Sequence, residues 1–351
     1  MVSTSCNSGA SSPLVAPQTE DKVFELLNGE WPLGTPEQVS MDAEEIDEVM
    51  QDARLSPQIL SLLLIKDGML VSEYYKEGTS DTKRAIHSVT KSVTSLLIGI
   101  AIDQGYLNGS NEPIAPYFPD YRDAFDSPGK SDITVARLLD MTSGLHFPEW
   151  TEWNYSLRPM RDSEDWNGFV LGQRMDAKPG ELWNYNTGSS QLLAAILSRT
   201  TGQSEFAFAR ERLFGPLRID DVDWPPSPDG SNTGGFGLKM TARDLAKIGL
   251  LVLNRGVWNG KRIVSESWLT ESTSRHAAGN AFFGTYGYHW WLSRYAGHEA
   301  IFGMGYGGQY LTIVPDLNLV IVLNSAATGN AEDTIVPIPY IDRLVRAVND
   351  G

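Results

Sequence analysis

The chain has 351 residues, 41% hydrophobic and 21% charged, the composition of a globular protein long enough for a large core and about two structural units. A formal charge of -16 leaves no basic stripe for nucleic-acid phosphates, and no run of about 18 apolar residues offers a membrane span. One cysteine excludes an intramolecular disulfide, and five scattered histidines without H-E-x-x-H spacing argue against catalytic zinc, so neither metal nor cofactor is expected.

Residues 1–22, rich in serine, read as a flexible tail without the apolar core of a secretory signal. Cys6 ahead of that serine-rich stretch fits two situations equally: the mature start of a lipid-anchored, extracytoplasmic or periplasmic protein, and an incidental cysteine in a cytoplasmic leader. Leu62 to Ile65 and Met69 to Tyr75 flank Asp67-Gly68, a strong hairpin signal. Ser92 to Ile102 is apolar enough for a largely buried helix, with Gly105 as its stop. Helical patches follow at Thr134 to Met141, Ser190 to Thr200, Glu205 to Leu213 and Thr241 to Leu253, the last with Thr241 and Asp244 in a capping-box-like pattern. Gln309 to Val314 and Leu319 to Leu323 flank the turn Pro315 to Asn318, and Thr334 to Val348 reads as a closing helix with Pro337 and Pro339 at its start. Strands at both ends of the chain pair most economically in one antiparallel sheet. The expectation is an α+β domain over 35–348, with an α/β part at about 35–105 and 235–348 and an inserted helical subdomain at about 106–234.

Ser88-Val89-Thr90-Lys91 sets a hydroxyl one helical turn before an amine, at the start of the buried helix, where backbone N–H groups favour developing negative charge. By itself this tetrapeptide also fits a capping serine and a solvated lysine. Tyr185-Asn186-Thr187 occupies a loop just before a helix; a tyrosine there is either a general base or proton shuttle beside a lysine, or a packed ring with a satisfied hydroxyl. Gly303 to Gln309 contains G-x-G-x-x-G, but it leads into a strand, the reverse of the dinucleotide fingerprint, and better suits close ligand approach with free backbone N–H groups. Trp150, Trp153, Trp166 and Trp183 either line an apolar acyl pocket or form a subdomain core. The G-x-S-x-G elbow of α/β-hydrolases is absent.

In these blocks, in this order, the chain resembles the serine β-lactamase and penicillin-recognising superfamily, most closely its class C-like branch of esterases, D-amino-acid peptidases and 6-aminohexanoate-dimer hydrolases. The blocks are Ala85 to Ser92, Ile133 to Leu145, Pro179-Gly180 through Tyr185 to Gly188, Thr241 to Lys247, Tyr286-Gly287-Tyr288, and Gly307-Gly308-Gln309. The resemblance implies a β-lactamase/transpeptidase-like fold, Ser88 as nucleophile, Lys91 as its proton acceptor and Tyr185 as the second-motif tyrosine. It implies an oxyanion hole from the backbone N–H groups of Ser88 and of Tyr306 or Gly305. Asn186, Thr187 and Gly305 match substrate-binding positions, with Thr187 standing where many relatives carry asparagine. Where lactam-processing relatives show Lys-Thr-Gly or His-x-Gly, this chain has Phe302-Gly303-Met304-Gly305, with His298 too early to replace the cation. The expected activity is therefore acyl-enzyme hydrolysis of a small ester or short linear amide. A β-lactamase, a D-amino-acid peptidase and a catalytically silent binding protein are the alternatives.

Overall fold

Asp42 caps α1 (Ala43–Leu55) by accepting from the backbone N–H groups of Glu44 and Glu45, and the chain then enters β1 (Ile59–Lys66). Asp67 and Gly68 both take positive φ, 50° and 74°, as a two-residue hairpin with the right twist demands, and deliver the chain into β2 (Met69–Tyr75). The computed structural model describes residues 23–26 and 29–349; the expected tail and Cys6 lie outside the described residues.

A short β3 (Arg84–Ala85) and a 3-10 turn over His87–Val89 lead into α2 (Thr90–Asp103), which is buried along almost its whole length. A mainly helical stretch follows, with α3 (Val135–Leu139), α4 (Leu157–Asp162), α5 (Trp166–Leu171), α6 (Thr187–Thr201) and α7 (Glu205–Ala209). The chain returns through β4 (Lys239–Met240), paired with β3, to α8 (Ala242–Leu253). The small hairpin of β5 (Val257–Trp258) and β6 (Lys261–Arg262) precedes α9 (Glu266–Ser272). The strands β7 (Ala277–Asn280), β8 (Gly284–Tyr286), β9 (Trp291–Tyr295), β10 (His298–Gly305), β11 (Gln309–Val314) and β12 (Leu319–Ser325) come next, before α10 (Ile338–Arg346).

Among the described residues these strands form an eight-stranded antiparallel sheet in the order β2-β1-β12-β11-β10-β9-β8-β7. The β1–β12 ladder, from Lys66 opposite Leu319 to Ile59 opposite Ser325, joins the two ends of the sequence. Because successive side chains point to opposite faces, Leu63 and Ile65 join the core shared with α2 and α8, while Leu62 and Leu64 join the core shared with α1 and α10. Burying each such side chain contributes roughly 1.5–3 kcal/mol, so the near-continuous apolar run of β1 reflects a strand covered on both faces.

Several boundaries differ from the sequence expectation for local reasons. The helix expected from Ser190 starts at Thr187, because Asn186 rather than a later residue caps it through Ser189 N–H. The expected Glu205 to Leu213 helix changes to a π turn after Ala209. The closing helix begins at Ile338: Pro337 and Pro339 are tolerated only where the first turn has no N–H to donate, which leaves Ala331–Thr334 as a separate 3-10 turn.

Candidate active site

Ser88 sits in the 3-10 turn immediately ahead of α2, held there by an unusual backbone. His87 adopts φ of 47°, a left-handed conformation that costs a residue with a Cβ, and Thr90 Oγ1 fixes it by donating to the His87 carbonyl at 2.6 Å. Lys91, one turn into the helix and 1% exposed, points its amine at the serine. Nζ donates to Ser88 Oγ at 3.2 Å, to Thr187 Oγ1 at 2.9 Å and to the Gly235 carbonyl at 2.9 Å. Burial pushes its pKa down to about 8, against the opposing pull of the Glu149 carboxylate. A lysine at such a value is neutral in an appreciable fraction near physiological pH, the state a base requires.

Tyr185 reaches the same hydroxyl from the loop before α6: its phenol hydrogen-bonds Ser88, and its ring lies under the Lys91 amine. The sequence reading that a neighbouring cation favours a phenolate here is corrected. Burial, reinforced by the Glu149 charge, raises the phenol well above its ordinary value, and the Ser88 hydrogen bond offsets that only in part. Tyr185 is thus a neutral hydroxyl at rest, able to pass a proton along rather than to hold negative charge.

Asn186 and Thr187, expected as substrate contacts, are both engaged within the protein. Asn186 is 1% exposed; its Oδ1 accepts from Ser189 N–H at the start of α6, leaving only Nδ2, which has no hydrogen-bond partner. Thr187 Oγ1 is held between two charged side chains, accepting from Lys91 and donating to Glu149 Oε1 at 2.8 Å. Glu149 Oε2 accepts the Thr187 backbone N–H at 2.7 Å. Burial raises the Glu149 pKa, while Lys91 and both bonds from Thr187 pull it back. Sequence reasoning missed Glu149, which lies in the loop Phe147-Pro148-Glu149-Trp150 with no spacing that relates it to any motif. It also missed His289, whose Nε2 meets Ser190 Oγ at 2.9 Å and whose Nδ1 meets the Leu139 carbonyl at 2.8 Å. Burial, with the Lys91 charge, pushes this imidazole down to about 3, so it is a neutral clamp behind the lysine.

Gly305 ends β10 against the serine loop. A Cβ there would lie 2.5 Å from the Ile86 carbonyl oxygen and 3.1 Å from His87 Cβ, so only glycine permits this approach. Tyr306, half exposed, meets the His87 ring edge-on at 5.8 Å. The turn at Gly305 and Tyr306 and the segment carrying Ser88 therefore face each other across the mouth of the site. On β10, Gly303 faces Val89 and Ser92, whereas Phe302 and Met304 belong to the opposite core. His298 lies at the far end of the same strand, roughly 20 Å away at strand rise, and pairs with Asp316 at 2.8 Å.

The four tryptophans separate. Trp150 stacks on Tyr185 with centroids 5.1 Å apart and meets Trp183 edge-on at 5.6 Å. Together with Leu145, Pro148 and Leu182 these rings line a cavity of about 280 Å³. Trp166 instead packs on Phe236, and Trp153 is exposed. Among the described residues no cluster of histidine, cysteine and carboxylate side chains could hold a metal ion, and no helix is long and apolar enough to cross a membrane.

An antiparallel sheet flanked by helices, with a serine and a buried lysine in hydrogen-bond contact at the start of its central helix, is the architecture of the penicillin-binding and β-lactamase-like serine hydrolases. Residues 57–345 match the protein-family profile described as Beta-lactamase, and the chain belongs to that family. The 6-aminohexanoate-dimer hydrolase of Paenarthrobacter ureafaciens is 28% identical over 288 residues, covering 75% of this chain and 71% of that protein. Among solved structures, the octameric penicillin-binding protein homologue from Pyrococcus abyssi superposes with a TM-score of 0.68 at 20% identity, covering 87% of this chain and 77% of that one. EstCE1, a hydrolase with promiscuous acyltransferase activity, gives a TM-score of 0.68 at 17% identity over 87% of this chain and 98% of its own. The protein is an enzyme of the serine hydrolase type, similar to proteins named as hydrolases.

Proposed function

We propose that this enzyme hydrolyses small esters or short linear amides through an acyl-enzyme on Ser88. The observation that carries this reading is the Lys91 amine, buried, lowered in pKa and 3.2 Å from Ser88 Oγ. Lys91 takes the serine proton as the oxygen attacks the substrate carbonyl, and the Tyr185 hydroxyl, bonded to the same serine, passes a proton to the leaving group. The backbone N–H groups of Ser88 and Tyr306 hold the oxyanion, a contribution typically worth about 2.7–4 kcal/mol. Water then enters by the reverse proton path and releases the acid.

The aromatic cavity beside Tyr185 suits an apolar acyl or leaving group, and the 6-aminohexanoate-dimer hydrolase likeness supports linear amides as one substrate class. Exposure to a fluorophosphonate probe, followed by intact-mass detection and peptide mapping, is expected to add one phosphonyl group at Ser88. Ser88→Ala is expected to fold normally, resist labelling and lose turnover by on the order of a thousandfold or more. Labelling elsewhere, or full turnover by the alanine variant, overturns the assignment.

A further inference from the structure

Four polar atoms form an unbroken line: Ser88 Oγ, Lys91 Nζ at 3.2 Å, Thr187 Oγ1 at 2.9 Å from that nitrogen, and Glu149 Oε1 at 2.8 Å from that hydroxyl. With Glu149 ionised, the direction of the two bonds beyond Lys91 is fixed by the chemistry. Thr187 has a single hydroxyl proton and gives it to the carboxylate, so its lone pair is what receives the Lys91 N–H. The remaining Lys91 proton goes to the Gly235 carbonyl, which cannot pass it on. Glu149 Oε2 is anchored separately by the Thr187 backbone N–H, which keeps the carboxylate in register with the hydroxyl. Asparagine at 187 would interrupt this line, because a carboxamide has no hydroxyl proton to exchange.

We propose that Glu149 and Thr187 form a proton relay that drains Lys91, so that the lysine is returned to its neutral amine between the two halves of the reaction. As Ser88 attacks, its O–H bond breaks and a new N–H bond forms at Lys91. A different Lys91 N–H then breaks as Thr187 Oγ1 gains that proton, while the original Thr187 proton forms a bond to Glu149 Oε1. The proton stored on the carboxyl group returns through Thr187 to Lys91, while the Tyr185 hydroxyl gives its own proton to the leaving group and regains one from Lys91; the cycle then repeats with water in place of the leaving group. No charge is created or lost overall.

The surroundings favour such sharing. Burial raises the carboxyl pKa of Glu149 and lowers that of the Lys91 amine, so the two protonation states approach one another in energy. The other titratable groups facing the pair are Tyr185 and Tyr286, both raised and neutral, and His289, lowered and neutral. None of them competes for the proton near neutral pH.

The relay depends on Ser88 being the nucleophile, so the test reads Ser88 directly. The rate of fluorophosphonate addition at Ser88, followed by intact mass from pH 5 to 10, requires no knowledge of the natural substrate. Thr187→Val, which keeps shape and the Glu149 charge but removes the hydroxyl, is expected to lower the high-pH plateau roughly tenfold or more without moving the acid limb. Thr187→Ser is expected to restore most of the rate. Glu149→Gln is expected to lower the plateau similarly and also to move the acid limb to lower pH, because removing a neighbouring negative charge lowers the Lys91 pKa. The double variant Glu149→Gln/Thr187→Val should be no slower than either single one. Circular dichroism and thermal melting establish that each variant is folded; Thr187→Val serves as the test if Glu149→Gln is not. A wild-type plateau in folded Thr187→Val overturns the relay, whereas absence of labelling at Ser88 in the unaltered enzyme overturns the acyl-enzyme reading instead.

Discussion

Lys91 Nζ lies 4.9 Å from the centroid of the Tyr185 ring, on its face. In the proposed reaction the π face would stabilise the ammonium formed on Lys91, by about 0.5–2 kcal/mol, while the phenol of the same ring bonds the serine itself. One residue thus acts on both ends of the proton transfer. Losses from groups that act as a unit do not multiply, so Lys91→Ala and the double variant Lys91→Ala/Tyr185→Phe are expected to be similarly impaired in kcat. Double-mutant kinetics with a p-nitrophenyl ester measure this; independent, multiplying losses would assign the two side chains separate roles.

Gly235 supports the lysine without contributing a side chain. A Cβ at this position would lie 2.6 Å from Thr187 Cγ2 and 3.2 Å from Lys91 Nζ, closer than the packing tolerates. Gly235→Ala is expected to displace Thr187 or the amine, lowering kcat roughly tenfold or more at a stability cost of about 1–3 kcal/mol. Steady-state kinetics beside a thermal melt check it, and unchanged kcat would mean that the Lys91 network tolerates such displacement.

Substrate preference should follow the composition of β10. Phe302-Gly303-Met304-Gly305 brings no cation to the site, and His298 is committed to Asp316 at the other end of the strand. A charge-assisted hydrogen bond contributes about 1.5–3 kcal/mol, so a substrate that relies on one for its carboxylate should suffer roughly ten- to a hundredfold. Higher kcat/KM for a p-nitrophenyl ester than for a chromogenic cephalosporin is the expected result. Efficient lactam turnover with poor esterolysis would require a cation from elsewhere, such as an arginine of the helical stretch.

Glu205 predicts a pH-dependent stability unrelated to the reaction. It is fully buried, accepts from Thr94 Oγ1 at 2.7 Å through one oxygen, and has no partner for the other. Burial pushes its pKa up from the ordinary 4.5 to about 8. The folded state therefore keeps a proton that the unfolded chain releases, and stability from this group, complete below about 4.5, is lost as pH rises toward 8. Glu205→Gln removes the titration. Its stability relative to the parent enzyme is expected to rise by on the order of a few kcal/mol between pH 5 and pH 8, measured by denaturant unfolding at both values. A flat difference would refute the assignment.

How much was legible depended on whether the signal was local. Asp67-Gly68, the apolar run after Lys91 and the Thr241 to Asp244 cap each carry their structure within a few residues, and each forms as read. The proximity of Ser88 and Lys91 follows from helical spacing alone. Glu149 gave no such signal: it reaches Thr187 through a loop whose path is set by packing between distant segments, and its significance lies in two hydrogen bonds rather than in a spacing. The capping role of Asn186 was not legible, because a capping residue and a ligand-binding amide look identical in a sequence. The direction of the Tyr185 shift depended on enclosure, which no motif records.

The β1–β12 ladder also governs when the enzyme comes into being. Ser88 is synthesised early, but Gly305 and Tyr306 emerge late, and β1 has no partner on its β12 side until Leu319–Ser325 has left the ribosome. A nascent chain halted before Gly305 carries Ser88 without the opposite wall of its site, and one halted before Leu319 leaves the β12 side of Leu62 to Ile65 as an open strand edge. A site with both walls therefore requires β10 to β12 to have been made, and until β12 pairs with β1 that open edge is free to pair with another chain.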